Sequence, residues 1–340
     1  MSLYNDSLYK LHNSTESIAP NMNDKIVSVV SLSNYEQNKL VYEAIKCSLR
    51  PLGGIGAIVK AGQRVLLKPN FVINNPSNPS AWTHPTIILQ TAKLVKEAGA
   101  SKIFIGDSPG IGNVFRIDKK MGITPDVLHQ VGAVLVDFRS KRIVSDNLKN
   151  GQFKAISLSD NALEIDTLIN LCKAKTHTQM VLTGAVKNLF GCVPGRRKAL
   201  MHCLVNNSSY LFARMLLDVH RQLNAAVHIM DGIIAMDGQG PTKGTARPWG
   251  WLLASKDPVA LDTVMANALG YESDEVPVLR AAKDMKFGNT DLNSIDLVGS
   301  HIEHMAPLNW NRALMSPISF NPIRMIVNYL RHRVLAQLPS

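Results

Sequence analysis

Apolar residues fall along this chain in two rhythms. Short β-branched runs have the length and shape of buried strands: Lys25–Leu32, Arg64–Lys68, Lys102–Gly106, Ala133–Phe138, Thr167–Cys172, Val227–Met230 and Gly250–Ala254. Between several of them, apolar residues recur every three or four positions. This second rhythm predicts helices over Tyr35–Leu49, from Thr83 or His84 to Gly99, over Ser208–Leu223 and over Asp257–Leu269. Pro85 and Pro258 suit a first helical turn, Asp257 suits an N-cap, and Gly99 suits a stop. Strand, helix and strand in repeated alternation predict parallel crossovers within one sheet. The expected class is therefore α/β, a predominantly parallel sheet covered by helices. The polar stretch Arg139–Ile165 has no clear period and reads as a β-excursion or as a second lobe.

Beyond these runs the chain changes character at both ends. Residues 1–24 are polar and rich in Asn and Ser, which reads as a disordered leader before an α/β domain over 25–300. Residues 301–340 read as a C-terminal extension. Within it Ile323, Ile326, Val327, Leu330, Val334 and Leu338 would form one stripe of an amphipathic helix started by Pro322. Arg324, Arg331 and Arg333 lie largely off that stripe. Such a helix docks on its own core, on a second copy of the chain, or on an anionic bilayer. Docking on protein is the favoured use, because only three arginines and no lipidation signal accompany the stripe. No run is long and apolar enough for a transmembrane segment, and no secretion pattern opens the chain, so the expected location is cytoplasmic.

The net charge of +11 calls for anionic partners. Aromatics make up only 6% of the 340 residues and no nucleic-acid module is readable, which leaves small carboxylate- or phosphate-bearing molecules. The four cysteines, Cys47, Cys172, Cys192 and Cys203, form no CxxC pair, so no internal iron–sulfur cluster or zinc ribbon is expected.

Open parallel sheets bind ligands at the carboxyl ends of their strands. Polar clusters recur there: Lys68-Pro-Asn70, Asp107-Ser-Pro-Gly110, Lys173-Ala-Lys-Thr-His177 and Asp231-Gly232. Each alone is ordinary turn chemistry; their recurrence at one end predicts a shared crevice. The run from Lys173 to His202 adds Lys175, His177, Lys187, Asn188 and His202 among Gly184, Gly191 and Gly195. Lysine offers a charge to an anion, histidine an acid, base or metal ligand, and glycine a close backbone approach. Arg196, Arg197 and Lys198 are a solvated turn or an anion clamp, and Asp231–Gly244 could form an anion-binding nest. Asp262 faces either solvent or the crevice.

Taken in order, Lys68-Pro-Asn70, Gly106-Asp-Ser-Pro-Gly110, Lys173-x-Lys-x-His177, Gly184-x-x-Lys-Asn-x-x-Gly191, Pro194-Gly195, Asp231-Gly232 and Asp257-Pro-x-Ala-x-Asp262 resemble the family called domain of unknown function 362. The likeness runs from about Lys25 to about Val298. Many members carry a cysteine-ligated iron–sulfur extension; its absence from this sequence leaves redox chemistry to a separate partner. A narrower pattern, His177, Gly184, Lys187, Pro194-Gly195 and His202, is similar to the core of the nickel-pincer lactate racemases. That resemblance implies His177 as catalytic acid/base, Lys187 holding a nickel-pincer nucleotide covalently, and His202 ligating nickel. Here Asp107 stands where a histidine–arginine pair is expected, the second catalytic histidine is not found, and the double glycine is Gly184-Ala185.

The expected function is an enzyme, oxidoreductase or isomerase-like, acting on a small anionic substrate by acid/base or hydride-transfer chemistry. His177, Lys187 and Asp107 are its expected catalytic residues; Lys68, Asn70, Lys175, Asn188 and Asp231 are expected to bind substrate. The alternative is a non-catalytic binding or assembly protein for a phosphate-bearing ligand. A homo-oligomer is compatible with either.

Overall fold

The structure is a computed structural model that describes residues 25–316, apart from 74–77, 111–113, 146–152, 196, 301 and 308. The leader, the amphipathic stripe of the tail and Arg196 lie outside the described residues, as does the side chain of Arg197.

Among the described residues the strands are β1 (Ile26–Ser31), β2 (Arg64–Lys68), β3 (Lys102–Asp107), β4 (Ala133–Asp137), β5 (Arg142–Val144), β6 (Ile156–Leu158), β7 (Thr167–His177), β8 (Val181–Thr183), β9 (Val227–Asp237), β10 (Thr245–Ser255) and β11 (Asp296–Val298). One sheet runs β11-β1-β10-β9-β7-β2-β3-β4, with β8 paired to β7. Strands β4, β3, β2, β7 and β9 are mutually parallel, while β10 is antiparallel to β9 and β1. The mostly parallel α/β expectation holds. In the polar stretch after β4, β5 and β6 make a separate antiparallel pair.

Why the sheet is buried on both sides is visible in its alternation. Along β7, Leu168, Cys172 and Ala174 enter one apolar core, and Ile169 and Leu171 enter the other. The helices Asn38–Leu49 and Pro85–Glu97 cover the second core with Val41, Ile45, Ile87 and Ile88. Opposite them, Ser209–Leu223, Pro258–Ala268 and Pro277–Asp284 cover the first with Phe212, Leu216, Val264 and Leu279. Capping follows the sequence: Asp257 accepts from the amides of Val259 and Ala260, and His84 accepts from that of Thr86.

Chain order reverses between β2 and β7. From β2 the chain moves outward through β3 and β4, then returns to the other side of β2 as β7 and continues to β9. Connections leaving neighbouring strands in opposite directions open a crevice at their carboxyl ends.

Two strands overrun their expected ends. The sequence pattern stops β7 at Cys172 and β9 at Met230, yet they continue to His177 and Asp237. Lys173, Lys175 and Asp231 looked like loop residues because they are charged; each is instead buried in the strand with a polar partner. Asp231-Gly232 is therefore no turn. Gly232 sits in β9 because a Cβ there would meet the Trp249 ring at 2.4 Å. The lysine- and glycine-rich run after β7 is also ordered, into β8 and the helices Ala185–Asn188 and Arg197–Leu204.

Candidate functional site

Lys68 ends β2 and Asp107 ends β3, its neighbour, so both side chains leave the sheet at the same end. They form an ion pair of 2.9 Å, with side chains 0% and 5% exposed. Asp107 also accepts from the amides of Phe71 (2.8 Å) and Ser108 (2.7 Å), and Lys68 donates to the Pro69 carbonyl (2.7 Å). A buried pair survives only with such extra bonds. Gly191 lies against it: a Cβ there would stand 2.1 Å from Asp107 Oδ1 and 2.4 Å from Lys68 Nζ.

A second buried pair joins Lys173 and Asp231 at 2.8 Å. The Tyr35 hydroxyl donates to Asp231 (2.5 Å) and accepts from Lys173 (3.1 Å), while the His84 amide donates to the same carboxylate (2.9 Å). Tyr35 stacks on the His84 ring at 3.7 Å. Burial and Asp231 hold the Tyr35 hydroxyl well above its ordinary value, and burial pushes His84 down to about 4. Asp231, expected to bind substrate, is thus engaged by this cluster on three sides.

Lys175 differs from both neighbours. It is fully buried, yet among the described residues its ammonium meets only the Asn70 side-chain oxygen and the Ala81 carbonyl, each at 2.8 Å. From it a chain of amides runs in one sense. Asn70 Nδ2 donates to Asn188 Oδ1 (2.9 Å), Asn188 Nδ2 donates to Asn170 Oδ1 (2.7 Å), and Asn170 Nδ2 meets His228 Nδ1 (2.8 Å). Asn188 Nδ2 also donates to the Lys68 carbonyl (3.1 Å) and Asn170 Nδ2 to the Ala185 carbonyl (2.9 Å). Those carbonyls can only accept, so they fix which way the amides point.

His177 ends β7, buried, and its Nδ1 accepts from the Gln179 amide at 3.0 Å. With Nδ1 occupied as acceptor, the neutral ring carries its proton on Nε2. Burial, with the charges of Lys187, Lys175 and His202, holds it well below its ordinary value. Lys187, on the short Ala185–Asn188 helix, is half-buried and has no carboxylate at ion-pairing distance among the described residues; burial lowers it to about 8. Lys198 donates to the Ser108 carbonyl and is likewise lowered to about 8, chiefly by burial. His202 stacks on Phe212 at 3.9 Å; burial and the Lys187 charge lower it to about 3. Among the described residues no group of three His, Cys, Asp or Glu side chains could hold a metal ion.

Asp262 faces neither solvent nor the crevice. Its carboxylate accepts from the amides of Ala185 (2.6 Å) and Val186 (3.0 Å), at the start of the helix carrying Lys187 and Asn188. Gly184 is required beside it, since a Cβ would fall 2.1 Å from Asp262 Oδ1. Burial raises Asp262 to about 7.

Lys68, Asn70, Asp107, Lys175 and Asn188 are thus joined by direct or shared hydrogen bonds and ion pairs. Lys187 and His177 are within electrostatic reach of Lys175, and His202 of Lys187. Asp231 stands one lysine away, with Lys173. Sequence reasoning missed Tyr35, His84, Asn170, His228 and the role of Asp262. Asn170 and His228 were marked by one signal, a lone polar residue inside an apolar strand run.

A profile described as "Domain of unknown function (DUF362)" matches residues 65–267. A cyanobacterial protein of Synechocystis named "Thylakoid-associated protein sll1697" is 35% identical over 309 residues, covering 91% of this chain and 94% of its own. Two solved structures resemble this chain at low similarity. A Thermotoga maritima protein matches at 11% identity and TM-score 0.44, over 69% of this chain and 60% of its own. The lactate racemase apoprotein of Thermoanaerobacterium thermosaccharolyticum matches at 15% identity and TM-score 0.43, over 72% and 58%.

Proposed function

The chain belongs to the DUF362 family, and from that premise we propose that it is an enzyme acting on a small anionic substrate in the crevice between β2 and β7. One observation carries this reading: among the described residues Lys175, Lys187 and Lys198 have no carboxylate at ion-pairing distance, the charge of Lys187 reaches both of the others, and His177 within the same reach is held neutral. Uncompensated cations in a partly dry crevice favour an anion and stabilise negative charge that develops during a reaction. His177 is the proposed electrophile: held neutral, its Nε2–H is the donor its tautomer leaves available to a developing negative charge. Lys187, half-buried and without a carboxylate at ion-pairing distance among the described residues, is the proposed catalytic cation that stabilises negative charge developing on the substrate. Lys68 and Asp107 are proposed to act through position, since each is engaged by the other; Asn70 and Asn188 orient Lys175.

Lys187 and His202 are the residues that would hold a nickel-pincer nucleotide. Asp107, tied to Lys68, replaces the histidine that such chemistry would require at its place. The set fits that group only in part, and no step is assigned to it.

The proposed place of work is the cytoplasm. Among the described residues no helix is long and apolar enough to cross a membrane. The relative's name favours a competing reading, peripheral contact with a membrane, which fractionation of the native host decides.

The function is tested by screening small phosphorylated and carboxylated compounds for conversion or for solvent-deuterium incorporation by NMR. His177→Gln should abolish turnover and keep ligand affinity. A ligand that binds and is never changed would favour the binding-protein alternative.

A further inference from the structure

We propose that the crevice seats a multiply charged anion of the phosphoryl type, whose charge neutralises Lys175, Lys187 and Lys198 together. This rests on the anionic-substrate reading and narrows it. Five lysines gather at this end of the sheet, Lys68, Lys173, Lys175, Lys187 and Lys198, and the carboxylates among them are Asp107 and Asp231, each closed on one lysine. Among the described residues the other three have only neutral partners or none. Lys175 meets an amide oxygen and a carbonyl, Lys198 meets the Ser108 carbonyl, and Lys187 meets no described acceptor.

Their fields overlap. Lys187, Lys173 and Lys68 repel charge on Lys175, with only Asp107 opposing them. Lys68 and Lys187 repel charge on Lys198, opposed by Asp107. Lys187 and Lys175 both act on His177, as does His202. Like charges in a low-dielectric crevice are costly until a counterion enters. A monocarboxylate answers only one of them, whereas a phosphoryl group brings about two negative charges near neutral pH. Lysine, a compact point charge with three donors, is a common binder of phosphate.

A signature follows. Lys187 and Lys198, each lowered to about 8, are partly neutral before the anion arrives. Its charge raises them, so binding draws protons from solution.

Calorimetry of the full chain at about pH 8, in two buffers of different protonation enthalpy, tests this with pyrophosphate, citrate and L-lactate. Pyrophosphate should bind about tenfold or more tighter than either carboxylate, with uptake of about half a proton or more. Lys187→Gln should weaken it about tenfold and reduce the uptake, whereas Lys39→Gln, on the exposed face of the Asn38–Leu49 helix, should change neither. Lys175→Met, checked for folding by circular dichroism, should repeat the loss. Citrate or lactate binding as tightly as pyrophosphate would overturn the proposal and leave the anionic-substrate reading standing. Pyrophosphate binding without proton uptake, or unchanged in Lys187→Gln, would overturn it too. Silence from all three anions would overturn both.

Discussion

Asn70 donates its side-chain amide to the side-chain oxygen of Asn188 at 2.9 Å, and this bond joins two segments 118 residues apart. Asn70 leaves the end of β2, and Asn188 closes the helix that carries Lys187. Through it Lys175 on one side of the sheet is linked to His228 on the other. Side-chain networks of this kind fix a geometry only when every member is satisfied.

Asn188→Ala would strand the Asn70 amide, the Asn170 oxygen and the Lys68 carbonyl in a buried place. Urea denaturation should show a loss of about 2–4 kcal/mol, since each buried group left unpaired costs roughly 1–3 kcal/mol. A loss below about 0.5 kcal/mol would mean that water replaces the amide.

Breaking one side of the Lys68–Asp107 pair should cost about 3–5 kcal/mol, because the remaining charge stays buried. Lys68→Met and Asp107→Leu made together should cost much less than the two losses added. A double-mutant cycle measures the difference; strict additivity would show that the two charges are not coupled.

Asp262 gives a pH dependence with a definite sign. Its folded value is raised from 3.8 to about 7, so between those values the folded state holds a proton that the unfolded chain has released. Its contribution to stability is greatest below pH 3.8 and declines as pH rises towards 7, by up to about 1.4 kcal/mol per unit. The stability of the wild type minus that of Asp262→Asn should fall across that window. A flat difference would mean that the two amides of Ala185 and Val186 outweigh burial and keep the carboxylate ionised.

Lys187 should be acylated ahead of the exposed lysines. With a value of about 8, roughly a quarter of it is neutral amine at pH 7.5, against about one part in a thousand for an ordinary lysine. Peptide mapping after a brief, limiting dose of an acetyl ester should find Lys187 among the first residues modified. Labelling no faster than at Lys39 would show that access, not protonation, controls it.

The β-branched runs and the prolines at helix starts made the sheet and its covering helices legible, because burial on both faces leaves an apolar signature. The strand ends were not legible. Lys173, Lys175 and Asp231 carry charge, and charge in a sequence normally marks water; here each finds its partner on another strand or loop. The candidate site was visible as recurring polar clusters, since Lys68, Asp107 and Lys175 each end or follow an apolar run. Which carboxylate serves which lysine was not visible. That depends on the order in which strands sit side by side, as does the approach of Asp262 to the Ala185 amide across 77 positions.

The overlong β7 restricts how this protein can change. Lys173, Lys175 and His177 occupy alternate positions of one extended strand, so a common side of the backbone presents them. Loops accept added or lost residues by bulging outward. The loss of one residue between Thr167 and Cys172 would turn all three groups to the opposite side. Length variation is therefore disfavoured in β7 before Lys173, and variation in specificity is left to the loops after β2, β3 and β8.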